Sequence, residues 1–126
     1  MELMSDSEKE IMRLIWDHGG TMTISELLDQ IEQTDHDWKR TTVRTFISRL
    51  IDKGMLISQK EGRGALYVAR ISEEEYLKPQ SVQFVNQVFG GNVSTLLTSL
   101  FGQQCLESKD IEELEKFWEQ GKEKLK

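Results

Sequence analysis

Only one cysteine, Cys105, occurs in the chain, which excludes an internal disulfide and fits a reducing compartment. Proline is equally scarce. Pro79 stands alone and marks the one place where a helix would lose a backbone donor, so a kink or a break is expected there. No apolar run approaches the length of a membrane span, and no signal-peptide pattern opens the chain. A soluble, cytoplasmic protein without a membrane partner is expected. Catalytic signatures are missing too. There is no glycine-rich phosphate loop, no metal-ligand spacing, and no Ser or Cys nucleophile with a histidine and an acid to serve it. His18 and His36 sit near turns and read as satisfied surface histidines, and Cys105 reads as a single partly buried thiol. Glu73-Glu74-Glu75 is explained by the dipole at a helix start. No enzyme, metal or cofactor is expected.

Basic charge is short overall, with 16 Lys and Arg against 22 Asp and Glu and a net charge of −6. Its distribution is more telling than its total. Between Lys39 and Arg63 lie seven basic residues (Lys39, Arg40, Arg44, Arg49, Lys53, Lys60, Arg63) and two acids, Asp52 and Glu61. That surplus of +5 leaves −11 for the rest of a chain of net −6. A local basic patch on an acidic protein can bind a specific site while the net field discourages indiscriminate binding.

The patch falls on a patterned segment. Lys39–Gly54 reads as an amphipathic helix with Val43, Phe46, Ile47, Leu50 and Ile51 on one face. The other face carries Thr41, Thr45 and Ser48, flanked by Thr42, Arg44 and Arg49. Hydroxyl residues are mediocre helix formers, and a merely solvated face would do better with Glu and Lys. Arginine can fork onto guanine, and threonine can meet a thymine methyl or a phosphate. Two strands, Leu56–Glu61 and Ala65–Arg70, follow, joined at Gly62-Arg63-Gly64, whose glycines are expected to give the tip its backbone freedom.

Three capping boxes punctuate the chain: Ser5-x-x-Glu8, Thr23-x-x-Glu26 and Ser72-x-x-Glu75. The first opens a helix that buries Ile11, Leu14 and Ile15 and stops at His18-Gly19-Gly20. Thr21–Thr23 can pair as an edge strand. The second box opens a helix to about Gln33 with Leu27, Leu28 and Ile31 inward. Helix, short strand, helix, helix, strand, strand is the order of a winged helix-turn-helix, in which the third helix enters the major groove and the hairpin lies near the phosphates. Trp16 and Trp38 are expected to close the core, an indole lending its N–H to a backbone group.

Beyond Ser72 the chain is helical and rich in large apolar residues: Phe84, Val85, Val88 and Phe89, then Val93, Leu96, Leu97 and Leu100, then, after a cap expected at Ser108, Ile111, Leu114, Phe117, Trp118 and Leu125. So few residues can bury only a modest core alone, and a second copy would cover the surplus. A twofold pair would also read a palindrome.

These segments resemble the penicillinase-repressor family of bacterial transcriptional repressors, the BlaI/MecI group with the copper-responsive CopY proteins as relatives. The carrying residues are Ser5–Trp16, Trp38–Leu50, Asp52-Lys53-Gly54, the wing Lys60–Tyr67, Phe84–Gly91 and Asp110–Leu114. The resemblance implies a mainly α protein with a small β-hairpin wing: a winged-helix DNA-binding domain over 1–71 and a helical dimerisation region over 72–126. It also implies a homodimer that represses by binding a palindromic double-stranded operator. In β-lactam-responsive members an Asn-Phe bond is cleaved; the corresponding place here is Ser99-Leu100. Copper-responsive members carry a tail of repeated Cys-x-Cys, whereas Cys105 is the one cysteine here. The inducing signal and any upstream sensor stay open.

The candidate DNA contacts are Thr41, Thr42, Arg44 and Thr45 near bases, and Lys39, Arg40, Ser48, Arg49, Lys60 and Arg63 on phosphates. The candidate dimer contacts are Phe84, Val88, Phe89, Leu96, Leu97, Leu100, Ile111, Leu114 and Trp118. The alternative reading is a winged-helix protein-interaction module with no DNA role, which would favour an uncharged or acidic third helix or an apolar wing.

Overall fold

The structure, a computed structural model, describes the backbone of residues 4–125 and the side chains of residues 4–122. Among the described residues six helices and three strands run in the order α1 (Asp6–Asp17), β1 (Thr21–Thr23), α2 (Ile24–Glu32), α3 (Arg40–Asp52), β2 (Leu56–Glu61), β3 (Gly64–Ala69), α4 (Glu73–Phe89), α5 (Val93–Gly102) and α6 (Ser108–Leu125). The backbone forms two compact units that divide between Lys78 and Pro79.

In the first unit, two complete capping boxes start α1 and α2. Ser5 Oγ accepts the Glu8 N–H and Thr23 Oγ1 the Glu26 N–H, and each glutamate accepts its cap residue's N–H in return. The inward stripes then meet. Ile11, Met12 and Ile15 of α1, Leu27 and Ile31 of α2, and Val43, Ile47 and Leu50 of α3 enclose one core, with Met22, Met55, Leu56 and Tyr67 beneath them. Ile51 is not part of it. Its side chain is exposed, at the edge of the stripe that Val43, Ile47 and Leu50 define.

The strands make one antiparallel sheet in the order β1-β3-β2, with β1 on an edge as expected. Tyr67 of β3 faces Met22 on one side and Ser58 on the other. At the wing tip only Gly62 has positive φ; Gly64 opens β3 opposite Glu61 and needs no glycine conformation.

In the second unit, Pro79 neither ends nor breaks α4, which runs through it to Phe89. Asn92 caps α5 by accepting the Thr95 N–H. Ser108 is the first residue of α6 and not its cap; the Asp110 carboxylate satisfies the Glu107 N–H at that end. No side chain of α5 is buried, and Phe84, Val88, Val93, Phe101, Ile111, Leu114, Phe117 and Trp118 are all exposed. Leu125 lies outside the residues whose side chains are described. Among the described residues no helix is long and apolar enough to cross a membrane.

Candidate nucleic-acid interface

The geometry of α3 follows from its two unlike faces. Val43, Ile47 and Leu50 are pressed into the core, which orients the helix and leaves Lys39, Arg40, Thr41, Arg44, Thr45, Ser48 and Arg49 exposed on the outside. Thr42 is half-buried at the flank. Lys39 is the N-cap residue, and its donor-only ammonium makes no side-chain cap bond. Thr45 Oγ1 donates to the Thr41 carbonyl at 3.0 Å. That bond occupies its hydroxyl proton and leaves a methyl and lone pairs to offer outward, which suits a thymine methyl better than an acceptor.

The two ends of α3 are held differently. At its start, Trp38 packs edge-on against Phe46, with centroids 5.2 Å apart, while His36 stacks on the other side of the indole at 3.9 Å. Trp38 thus closes the core from above while staying half-buried. His36 is also bonded to Glu10, and His18 to Glu26 at 3.0 Å, so both histidines have carboxylate partners. At the far end of α3, Lys53 reaches into the unit and pairs with Glu8, which is 1% exposed. Burial alone would raise the Glu8 pKa; the bonds from Lys53 and from the Ser5 hydroxyl and N–H outweigh it and hold the carboxyl below its usual range. Lys53 therefore belongs to the scaffold and leaves the basic surface. Sequence reasoning missed this pair because its members lie 45 residues apart.

On the wing, Lys60 near the end of β2 and Arg63 at the tip are exposed. The site is consequently one row of four basic residues and four hydroxyl residues on a helix, with two further cations on a hairpin of the same unit. It has guanidinium, ammonium and hydroxyl groups, with an acid, Asp52, only at the far end of the row, a chemistry suited to phosphate oxygens and base edges. Among the described residues no group of His, Cys, Asp and Glu is placed to hold a metal ion. Cys105, expected to be partly buried, is exposed, because Gln103–Cys105 lies in the turn after α5.

The candidate dimer residues lie in the second unit. Leu97 and Phe101 of α5 face Ile111, Leu114, Phe117 and Trp118 of α6 across an open apolar groove of about 670 Å³. Phe84 and Phe89 meet edge to face at 5.8 Å on α4. Phe89, Leu96, Leu97 and Leu100 are half-buried, whereas Phe117 and Trp118 remain 68% and 67% exposed.

The sequence profile of the penicillinase repressor family matches residues 4–120. The chain belongs to this family. It is 32% identical over 123 residues to the penicillinase repressor of Bacillus licheniformis, covering 98% of this chain and 94% of that protein. To the methicillin resistance regulatory protein MecI of Staphylococcus aureus (strain N315) it is 29% identical over 111 residues, covering 88% and 89%. Among solved structures, the DNA-binding domain of the repressor BlaI shares 37% identity with a TM-score of 0.51, covering 58% of this chain and 87% of that one. The monomeric form of Bacillus licheniformis BlaI in complex with the blaP half-operator shares 36% identity with a TM-score of 0.51, covering 60% and 89%. Family membership and these neighbours agree with the winged-helix fold of the first unit.

Proposed function

We propose that the protein is a homodimeric transcriptional repressor that binds a palindromic double-stranded DNA operator, each subunit placing α3 in a major groove and the wing against the flanking backbone. One observation carries this reading: the apolar residues of α3 are sunk in the core while its outward row from Lys39 to Arg49 is basic and hydroxylic, with the one acid of the helix, Asp52, at its far end, on a chain of net charge −6. A solved relative, BlaI, bound to a half-operator supports the DNA partner. Arg44, Thr41, Thr42 and Thr45, from the first half of the helix, contact base edges; Lys39, Arg40, Ser48, Arg49, Lys60 and Arg63 neutralise phosphates.

The second copy is supported by the uncovered apolar surface of α4, α5 and α6, since exposed patches of this kind mark association sites. Phe84, Val88, Phe89, Leu96, Leu97, Leu100, Ile111, Leu114 and Trp118 supply that contact. Dimerisation and operator binding are then linked, and an inducing event that weakens the helical contact lowers operator occupancy. A mobility-shift titration against the DNA upstream of the protein's own gene, beside a shuffled duplex and at rising salt, tests the reading. Selective retardation that weakens with salt is expected; equal retardation of both duplexes, or none, overturns it.

A further inference from the structure

α3 begins differently from the two helices before it. α1 and α2 each open with a complete capping box, whereas Lys39 gives α3 no side-chain cap. The first turn of α3 is also outside the core: Arg40 and Thr41 are exposed, Thr42 is half-buried, and Val43 is the first buried side chain. A helix end with neither cap nor burial frays readily. In their place stands the strap 34–38 that leads in from α2. Its start turns back on α2, where the Thr34 hydroxyl donates to the Ile31 carbonyl at 2.6 Å and accepts the His36 N–H at 3.2 Å. Its middle is fastened to α1, where His36 Nε2–H donates to the Glu10 carboxylate. Its end is fastened to α3 itself. The His36 ring lies on the Trp38 indole at 3.9 Å and 10°, and the indole meets Phe46, in the second turn of α3, edge-on at 5.2 Å. All of these residues belong to the first unit.

We propose, resting on the DNA-binding reading above, that Glu10 and His36 are positioning residues for base readout: their bond keeps the first turn of α3 wound and so sets where Thr41, Thr42 and Arg44 stand against a duplex. An indole that meets Phe46 by its edge alone can tilt. The imidazole stacked on it, bonded to α1, limits that tilt. Arg49 and the wing do not depend on the first turn, because Ile47, Leu50 and the sheet hold them. Loosening the strap therefore costs selectivity and spares general affinity for phosphates. Charge pulls the opposite way. Glu10 is an acid on a chain of net charge −6, and by charge alone its removal would strengthen attraction to any duplex.

The test uses the full chain. A duplex enriched by the wild-type protein from a random-sequence library is compared with a shuffled duplex, and amide hydrogen exchange is followed in the DNA-free protein. His36→Ala removes ring and bond together. Glu10→Ala removes the acceptor, and Glu10→Gln removes the charge but keeps an acceptor for His36. In both alanine variants the Val43 N–H, bonded to the Lys39 carbonyl at 3.0 Å, is expected to exchange about tenfold faster, with the melting midpoint little changed. Preference for the enriched duplex over the shuffled one is expected to fall about tenfold in both, while affinity for the shuffled duplex stays within about twofold of wild type. Glu10→Gln is expected to recover most of the preference, and the double alanine variant to be no weaker than either single one. Unchanged exchange at Val43, or a preference that survives in both alanine variants, would overturn the proposal. So would parallel loss on both duplexes, which makes the strap a plain stability element, or a Glu10→Gln as impaired as Glu10→Ala. A wild-type protein that enriches no duplex fails the DNA-binding reading itself, whatever the exchange shows, and the proposal with it.

Discussion

Glu8 in the first turn of α1 and Lys53 at the end of α3 form a buried ion pair, with Nζ donating to both carboxylate oxygens and the Ser5 hydroxyl donating to the same group. The pair ties the C-terminal end of α3 to the start of the chain's first helix. Removing one partner leaves the other charge in a low-dielectric site. Glu8→Gln should therefore destabilise the first unit by about 3 kcal/mol, read from the midpoint of urea unfolding. The double change Glu8→Leu with Lys53→Met should recover most of that loss, and a double variant as weak as the single one would contradict the buried-charge explanation.

The same pair gives stability a pH dependence of known sign. The Glu8 carboxyl is lowered in the folded protein from an ordinary value of 4.5, so the unfolded chain binds the proton more readily. The contribution is present in full above the ordinary value and is lost as the pH falls through the folded one. Glu26, lowered by the Thr23 N–H and hydroxyl, acts in the same direction. Thermal melts of the wild type should drop below about pH 4.5, with a shallower acid limb in Glu8→Gln. Equal acid limbs in the two proteins would assign the drop to other groups.

Arg44 and Arg63 should behave differently when truncated. Arg63→Ala, at the wing tip, should weaken all sequences alike and lower the slope of log affinity against log salt by about one. Arg44→Ala, within the helix row, should cost about 1–3 kcal/mol and relax selectivity at one base-pair position. Titrations over a panel of single-base variants at two salt concentrations separate the two patterns. An unaltered slope in Arg63→Ala would remove the wing from the interface.

Trp118, 67% exposed on α6, is expected to be a principal anchor of the second copy. Trp118→Ala should weaken self-association by about 2 kcal/mol, roughly thirtyfold in the dissociation constant. The melting of the winged-helix unit should not change. Sedimentation velocity across a concentration series measures the first and circular dichroism the second. Self-association that is indifferent to Trp118→Ala would move the contact to another part of the helical unit.

The outward row of α3 is legible in the sequence because it depends on local periodicity: apolar residues at Val43, Ile47 and Leu50 dictate which side of α3 is left outside, and the structure leaves Thr41, Arg44, Thr45 and Ser48 there. The capping boxes at Ser5 and Thr23 are equally local, and both are formed. Where distant residues decide, periodicity misleads. Ile51 lies at the edge of the apolar stripe and is left exposed. Lys53 counts as surface charge until Glu8 is seen beneath it. The grip of Trp16 on residue 71 has no local trace either, although an indole donor bonded to a backbone carbonyl is the role expected of that tryptophan. At Pro79 the missing backbone donor predicts a kink or a break, and the helix is not broken there: α4 continues through it to Phe89.

Thr23 closes β1 opposite Leu66 and is also the N-cap of α2, with no residue between strand and helix. A single threonine is thus both the last rung of the hairpin's third strand and the lid on the next helix. Strain introduced at the root of the wing cannot dissipate in a connecting loop; it reaches the front of α2 within one peptide unit. Grafting a foreign hairpin onto this scaffold would therefore require re-fitting the helix entrance as well.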